Sequence, residues 1–281
     1  MRYLRRMLFP ERGAISGLKS GKWRKTPIPE ACKNIPTMLM PDELRLLRYL
    51  TEAYFSNQGL IVDAGCFLGG STLALAEGLR NNLSRTHSPE TKLIHSFDLF
   101  RIEEWSREIY FPGGGIAGDS IRHLFDKNIA HHTSLVNIHE GDITHEVWGK
   151  APIEILFIDV AKHWTVCDWI TENFFPHLIP GRSIVVQQDY LYHHWNAWLH
   201  ITMEYYSDNF EILCHTEQNS VAFFYKKTIE PQLIRPKLVE SLSLGEKIEL
   251  MDKAANRFSA QPKELLKQAK AHFIEMLRHE T

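Results

Sequence analysis

At 281 residues, with 44% hydrophobic and 23% charged side chains, the chain has the make-up of a globular protein large enough for one main α/β domain with extensions. Its formal charge of −2 argues against a broadly basic surface, so nucleic acid is not the expected partner. Cys32, Cys66, Cys167 and Cys214 are scattered without a C-x-x-C pair, which points to reduced thiols in a cytoplasmic setting, and no run reaches the roughly twenty apolar residues that span a bilayer.

Residues 1–41 mix basic side chains with Gly13, Gly17, Gly21, Pro27, Pro29 and Pro36 and show no sustained period, so an irregular N-terminal arm is expected. Pro41-Asp42-Glu43 reads as a helix start, with Leu44, Leu47, Tyr49, Leu50 and Tyr54 as its apolar stripe. The stretch Gly59 to Leu75, GLIVDAGCFLGGSTLAL, then reads as strand, glycine turn and helix. Leu60, Ile61 and Val62 suit a strand buried on both faces, and Asp63 closes it. Gly65 and Gly69 supply a tight turn, and Ser71 or Thr72 is expected to cap the helix that carries Leu73, Leu75 and Leu79.

Leu93 to Asp98 is the second predicted strand, with Asp98 at its carboxyl end. An insertion over 100–133 contains Gly113 to Gly115, and its position suggests a lid; Asp119-Ser120 before Ile121, Leu124, Phe125 and Ile129 suggests a capped helix inside it. Leu135 to His139 is a third strand, followed by Glu140-Gly141-Asp142. Ile153 to Asp159 is the clearest later strand and runs into Val160-Ala161-Lys162-His163. A helix ending at Pro180-Gly181 leads to the strand Ser183 to Val186, which ends in Gln187-Gln188-Asp189 and so forms a crossover unit. His193 and His194 follow, then an aromatic-rich helix over Trp195 to Tyr206 and a hairpin of Phe210–His215 with Ser220–Tyr225. After Lys227 the pattern becomes a helical extension over 228–281, in which Leu265, Leu266, Ala269, Phe273 and Leu277 form a stripe for packing on the main domain or for a homodimer contact.

The pattern Asp63-x-Gly65-x-x-x-Gly69 departs from the dinucleotide G-x-G-x-x-G because Phe67 takes the second glycine's place. It resembles motif I of the class I S-adenosylmethionine (SAM) methyltransferases. The resemblance covers about Asp42 to Tyr225. It implies a Rossmann-like, doubly wound, mostly parallel seven-stranded sheet with a reversed C-terminal hairpin strand. It also implies SAM binding by Asp63, Gly65, Gly69 and Ser71, with Asp98 on the ribose hydroxyls and Asp142, or Glu140, near the adenine.

Asp159-Val160-Ala161-Lys162 resembles the D-x-x-K segment of metal-dependent catechol and caffeoyl-type O-methyltransferases, and Gln188-Asp189-Tyr190 resembles the Asp-Asp-Tyr ending of macrocin-type sugar O-methyltransferases. The resemblance implies Asp159, Gln188 and Asp189 as oxygen ligands of Mg²⁺ or another divalent cation, and Lys162 or His163 as the base that takes a proton from an acceptor hydroxyl. Gln188 contributes no charge where that family has a carboxylate. The expected activity is O-methylation of a small-molecule or sugar-containing metabolite. The alternatives are a hydroxylase-like enzyme on the same fold and a non-catalytic, partner-binding module.

Overall fold

The computed structural model describes residues 10–82, 92–192 and 196–279. The basic and apolar residues before Pro10, most of the polar loop before Leu93, and His193, His194 and Trp195 lie outside the described residues.

Seven strands form one sheet in the order β3-β2-β1-β4-β5-β7-β6. They are β1 (Leu60–Ala64), β2 (Ile94–Asp98), β3 (Val136–Glu140), β4 (Ile153–Ile158), β5 (Ile184–Gln187), β6 (Phe210–His215) and β7 (Val221–Tyr225). β1 with β2, β2 with β3 and β4 with β5 pair in parallel, while β7 runs antiparallel to both β5 and β6. This is the expected α/β, Rossmann-like sheet with a reversed C-terminal hairpin. Among the described residues, no helix is long and apolar enough to cross a membrane.

Packing divides the chain into two compact units, 1–145 and 146–281. In the first, β1 is buried from Ile61 to Ala64, which explains its unbroken apolar run. Helix α1 (Pro10–Lys19) occupies the stretch expected to be irregular. Its two glycines read as breakers, yet a Cβ on Gly17 would lie 2.0 Å from the Tyr49 hydroxyl oxygen, so close helix approach is what the small residue serves. Tyr49 lies on α2 (Pro41–Tyr49) and donates to the Ala14 carbonyl at 3.1 Å, and Leu18 and Trp23 are fully buried. The arm is therefore packed structure over these residues.

Helix α3 (Gly70–Asn81) follows β1, and α4 (Glu104–Tyr110) and α5 (Arg122–Asn128) lie in the long insertion. The insertion is two different things. Phe125 and Ile129 are buried against Gly69, whereas Trp105, Ile109 and Ile116 are exposed. The expected cap is a weak one: Ser120 Oγ accepts from the Arg122 amide at 3.3 Å, and Asp119 accepts instead from the Ile116 amide.

The second unit holds α6 (Trp164–Asn173), α7 (Ala197–Tyr205), α8 (Leu244–Asn256) and α9 (Ala260–His279). Ser243 and Glu246 form a capping box at the start of α8. Met251, Ala254, Leu266 and Ala269 are buried, so the C-terminal extension contributes core to this unit.

Candidate functional site

In the first unit, the glycine turn is built around two carboxylates. Asp63 is fully buried on β1, and its Oδ2 accepts from Ser71 Oγ at 3.0 Å and from Thr72 Oγ1 at 2.5 Å. Thr72 Oγ1 also lies 3.1 Å from Ser96 Oγ on β2, so strand, turn and helix share one buried network. Asp63 Oδ1 is buried without a partner. Burial raises the Asp63 carboxyl to about 6 against the pull of the Thr72 and Ser71 hydroxyls.

The expected capping role of Ser71 or Thr72 is thus corrected. Gly69 is the residue before α3, in a left-handed conformation with φ 97°, and both hydroxyls turn back to Asp63. Gly65 is also left-handed, with φ 96°. A Cβ on Gly69 would approach Ile129 Cγ2 to 3.1 Å, so a side chain there would need Ile129 to give way in addition to adopting the strained φ.

Asp98, at the end of β2, spends each oxygen on a backbone amide. Oδ2 accepts from Phe67 N at 2.7 Å and Oδ1 from Phe100 N at 2.7 Å. Burial raises its carboxyl above the usual range, and the two amides partly offset that. Phe67 and Phe100 both have positive φ, 46° and 50°, so Asp98 anchors two backbone positions that side chains other than glycine rarely adopt. The Phe67 ring meets Tyr110 edge-on at 5.3 Å and Phe111 at 6.1 Å, which docks the end of α4 on the glycine turn. These amide and aromatic roles of Phe67 are invisible in the motif, which registers only a missing glycine.

Asp142 lies apart from that network. It is exposed, and its Oδ1 accepts from the Thr144 amide at 2.9 Å and hydroxyl at 2.8 Å, which holds its carboxyl below the usual range. Glu140 accepts from Arg122 Nη1 at 2.9 Å.

The second unit has its own cluster. Asp159 follows β4, and Gln188 and Asp189 follow β5, where Asp189 has φ 61°, a conformation Asp tolerates better than most residues. Their oxygens converge as the sequence suggests, but on a nitrogen. Lys162 Nζ donates to Asp159 Oδ1 at 2.6 Å, to Gln188 Oε1 at 2.7 Å and to Asp189 Oδ2 at 2.5 Å. Burial works against the charged amine, yet Asp159 and Asp189 outweigh it and hold Lys162 above the ordinary lysine value. An ammonium has three donors and no lone pair, so Lys162 held this way has no means of taking a proton from an acceptor.

His163 precedes α6 as its N-cap. Its Nδ1 lies 2.8 Å from Thr165 Oγ1 and 3.4 Å from the Thr165 amide. The ring rests beside Trp164 and Trp198, and Trp198 is fixed by donating to the Ala161 carbonyl at 2.7 Å. Thr165 is the partner that sequence reasoning missed. The cysteines take no part: Cys32 and Cys167 are buried and their thiols pushed up to about 12, well away from a reactive thiolate.

The implied ligands were tested against these donors. The first unit offers a buried carboxylate oxygen without a partner and a glycine turn in which a side chain would be strained, both of which suit SAM. The second unit does not suit a divalent ion as arranged, because the point shared by its oxygens is filled by Lys162 Nζ. Among the described residues, no group of three or more His, Cys, Asp or Glu side chains is placed to hold a metal ion.

No protein-family model matches the chain, and no curated protein matches it. Among solved structures, it is similar to the O-methyltransferase NovP, at 15% identity and a TM-score of 0.52, over 79% of this chain and 99% of that one. It also matches CalS11, a TDP-rhamnose 3'-O-methyltransferase of calicheamicin biosynthesis, at 18% identity and a TM-score of 0.46, over 76% of this chain and 93% of that one. The cofactor-bound Rv0187 from MTB matches at 13% identity and a TM-score of 0.46, over 80% and 95%. The likeness to NovP shows the fold, which is that of the class I SAM-dependent O-methyltransferases.

Proposed function

We propose that this chain transfers a methyl group from SAM to a hydroxyl oxygen of a small molecule. The observation that carries the reading is the buried network of the glycine turn, in which hydroxyls and backbone amides hold Asp63 and Asp98 on a methyltransferase fold, with no cationic side chain among their hydrogen-bond donors in the described residues. Two carboxylates without a cationic partner of their own favour a cationic ligand, and SAM supplies an activated methyl on a sulfonium.

In this reading Gly65 and Gly69 let the backbone approach the ligand, and Asp63 fixes the turn through Ser71 and Thr72. Asp98 retains lone pairs beyond its two amide bonds and offers them to the ribose hydroxyls. Asp142 is exposed, and in this reading it is the residue that meets the adenine.

The proton of the acceptor hydroxyl falls to His163. In the tautomer in which Nδ1–H donates to Thr165 Oγ1, at 2.8 Å, the longer 3.4 Å bond from the Thr165 amide is given up and the Nε2 lone pair is left to accept. Methyl transfer needs no covalent nucleophile from the protein, so orientation and proton removal are what these side chains contribute.

The test is transfer of labelled methyl from SAM to a panel of hydroxyl-bearing aromatic and sugar-containing compounds, with His163→Gln in parallel. A base role predicts a kcat about 100-fold lower in the variant, with SAM affinity retained and the acidic limb of the pH profile lost. Equal kcat and an unchanged profile would remove His163 from the chemistry. SAM binding without transfer to any acceptor would favour the partner-binding alternative.

A further inference from the structure

The oxygens after β4 and β5 define a cation site that the chain fills itself. Asp159 Oδ1, Gln188 Oε1 and Asp189 Oδ2 lie 2.5 to 2.7 Å from one atom, Lys162 Nζ, and together they use all three of its N–H donors. The Lys162 side chain is itself 51% exposed, but its partners are not. The Asp159 and Asp189 side chains are 16% and 18% exposed, Gln188 is buried, and the carboxylate of Asp189 is aimed by a left-handed backbone.

Charge decides what such a pocket holds. Hard oxygen donors around one point are what Mg²⁺ or Mn²⁺ requires, and affinity rises with the number of carboxylates among them. Here one of the three donors is the neutral amide of Gln188, so the set carries two negative charges rather than three, and one ammonium meets a single oxygen of each side chain: Asp159 Oδ1, Gln188 Oε1 and Asp189 Oδ2. A third carboxylate would add to the charge that one ammonium leaves uncompensated and would make the pocket better suited to a divalent ion. The departure from that donor set is the glutamine, which leaves the lysine as the better-matched cation.

We propose that Lys162 is the resident cation of this crevice, held by Asp159, Gln188 and Asp189 in the place of a divalent metal ion, and that the crevice is organised without a metal. Lys162 is then a positioning residue that fixes the two strand ends. The proposal rests on the second unit alone and stands whether or not SAM is the ligand of the first.

The test is Mn²⁺ titration of the full chain, followed by the electron paramagnetic resonance signal of free Mn²⁺ and by thermal melting. Wild type is expected to take up no Mn²⁺ at this site and to melt at the same temperature with and without it. Lys162→Met leaves the two carboxylates facing each other, so it melts lower, takes up Mn²⁺ and regains melting temperature with it, and adding Asp189→Asn abolishes that gain. Uptake by wild type that Asp189→Asn removes overturns the proposal. So does a Lys162→Met variant that melts like wild type or ignores Mn²⁺. Should Lys162→Met fail to fold, the wild-type titration with Asp189→Asn as its control decides the matter. SAM binding in the same samples reports separately on the first unit.

Discussion

Each unit carries a pair of aspartates at or beside strand ends, and the two pairs are held by opposite means. Asp63 and Asp98 accept from hydroxyls and backbone amides, whereas Asp159 and Asp189 share an ammonium. Neutral donors satisfy oxygens without cancelling charge, so burial raises both carboxyls of the first pair. A cationic partner cancels charge as it satisfies the oxygens, and the second pair has one built into the chain. The difference is one of charge: no ammonium is among the hydrogen-bond donors to the first pair, and one ammonium partly offsets the second.

The largest effect that probes this contrast comes from Asp98→Ala. It removes two charge-assisted amide bonds that hold Phe67 and Phe100 at positive φ, and is expected to lower stability by about 3 kcal/mol in chemical denaturation. A loss below about 0.5 kcal/mol, the usual range for a surface change, would show that the amides find other partners.

Asp63 gives a pH signature. Its folded carboxyl lies near 6 against an ordinary value of 3.8, so the unfolded chain ionises first as pH rises. The folded state therefore loses stability as pH rises from 3.8 to 6, and regains it as pH falls. Asp63→Asn should remove up to about 3 kcal/mol of that slope, read as melting temperature against pH. Parallel curves for the two proteins would mean that Asp63 ionises as freely folded as unfolded.

The smallest effect sharpens the comparison at the lid. Phe67→Ala removes the edge contacts to Tyr110 and Phe111, worth about 1 kcal/mol. Amide hydrogen exchange should quicken across Glu104–Tyr110 while β1 and α3 stay protected. Unchanged exchange would detach α4 from the glycine turn.

Strand ends were the legible part of this chain. Short apolar runs closed by an acid or a glycine placed β1, β2 and β4 within a residue or two, because burial on both faces leaves no alternation to confuse. The convergence of Asp159, Gln188 and Asp189 was legible too, since parallel strands put such ends together. What filled their centre was not, because no spacing rule says whether a nearby lysine points outward or into the donors. Helix α1 was hidden by Gly13 and Gly17, and the small size of Gly17 serves the approach of Tyr49. The partners of Asp63 and Asp98 were hidden for a related reason: hydroxyls read as caps, and backbone amides carry no sequence signal at all.

Calorimetric titration of the full chain with SAM and with S-adenosylhomocysteine addresses the donor site most directly. Saturable one-to-one binding of SAM, weakened at least about 10-fold by Asp98→Ala through the loss of hydrogen bonds to a charged group, is the expected result. Absence of binding by either ligand in the folded wild-type chain would contradict a donor site in the glycine turn.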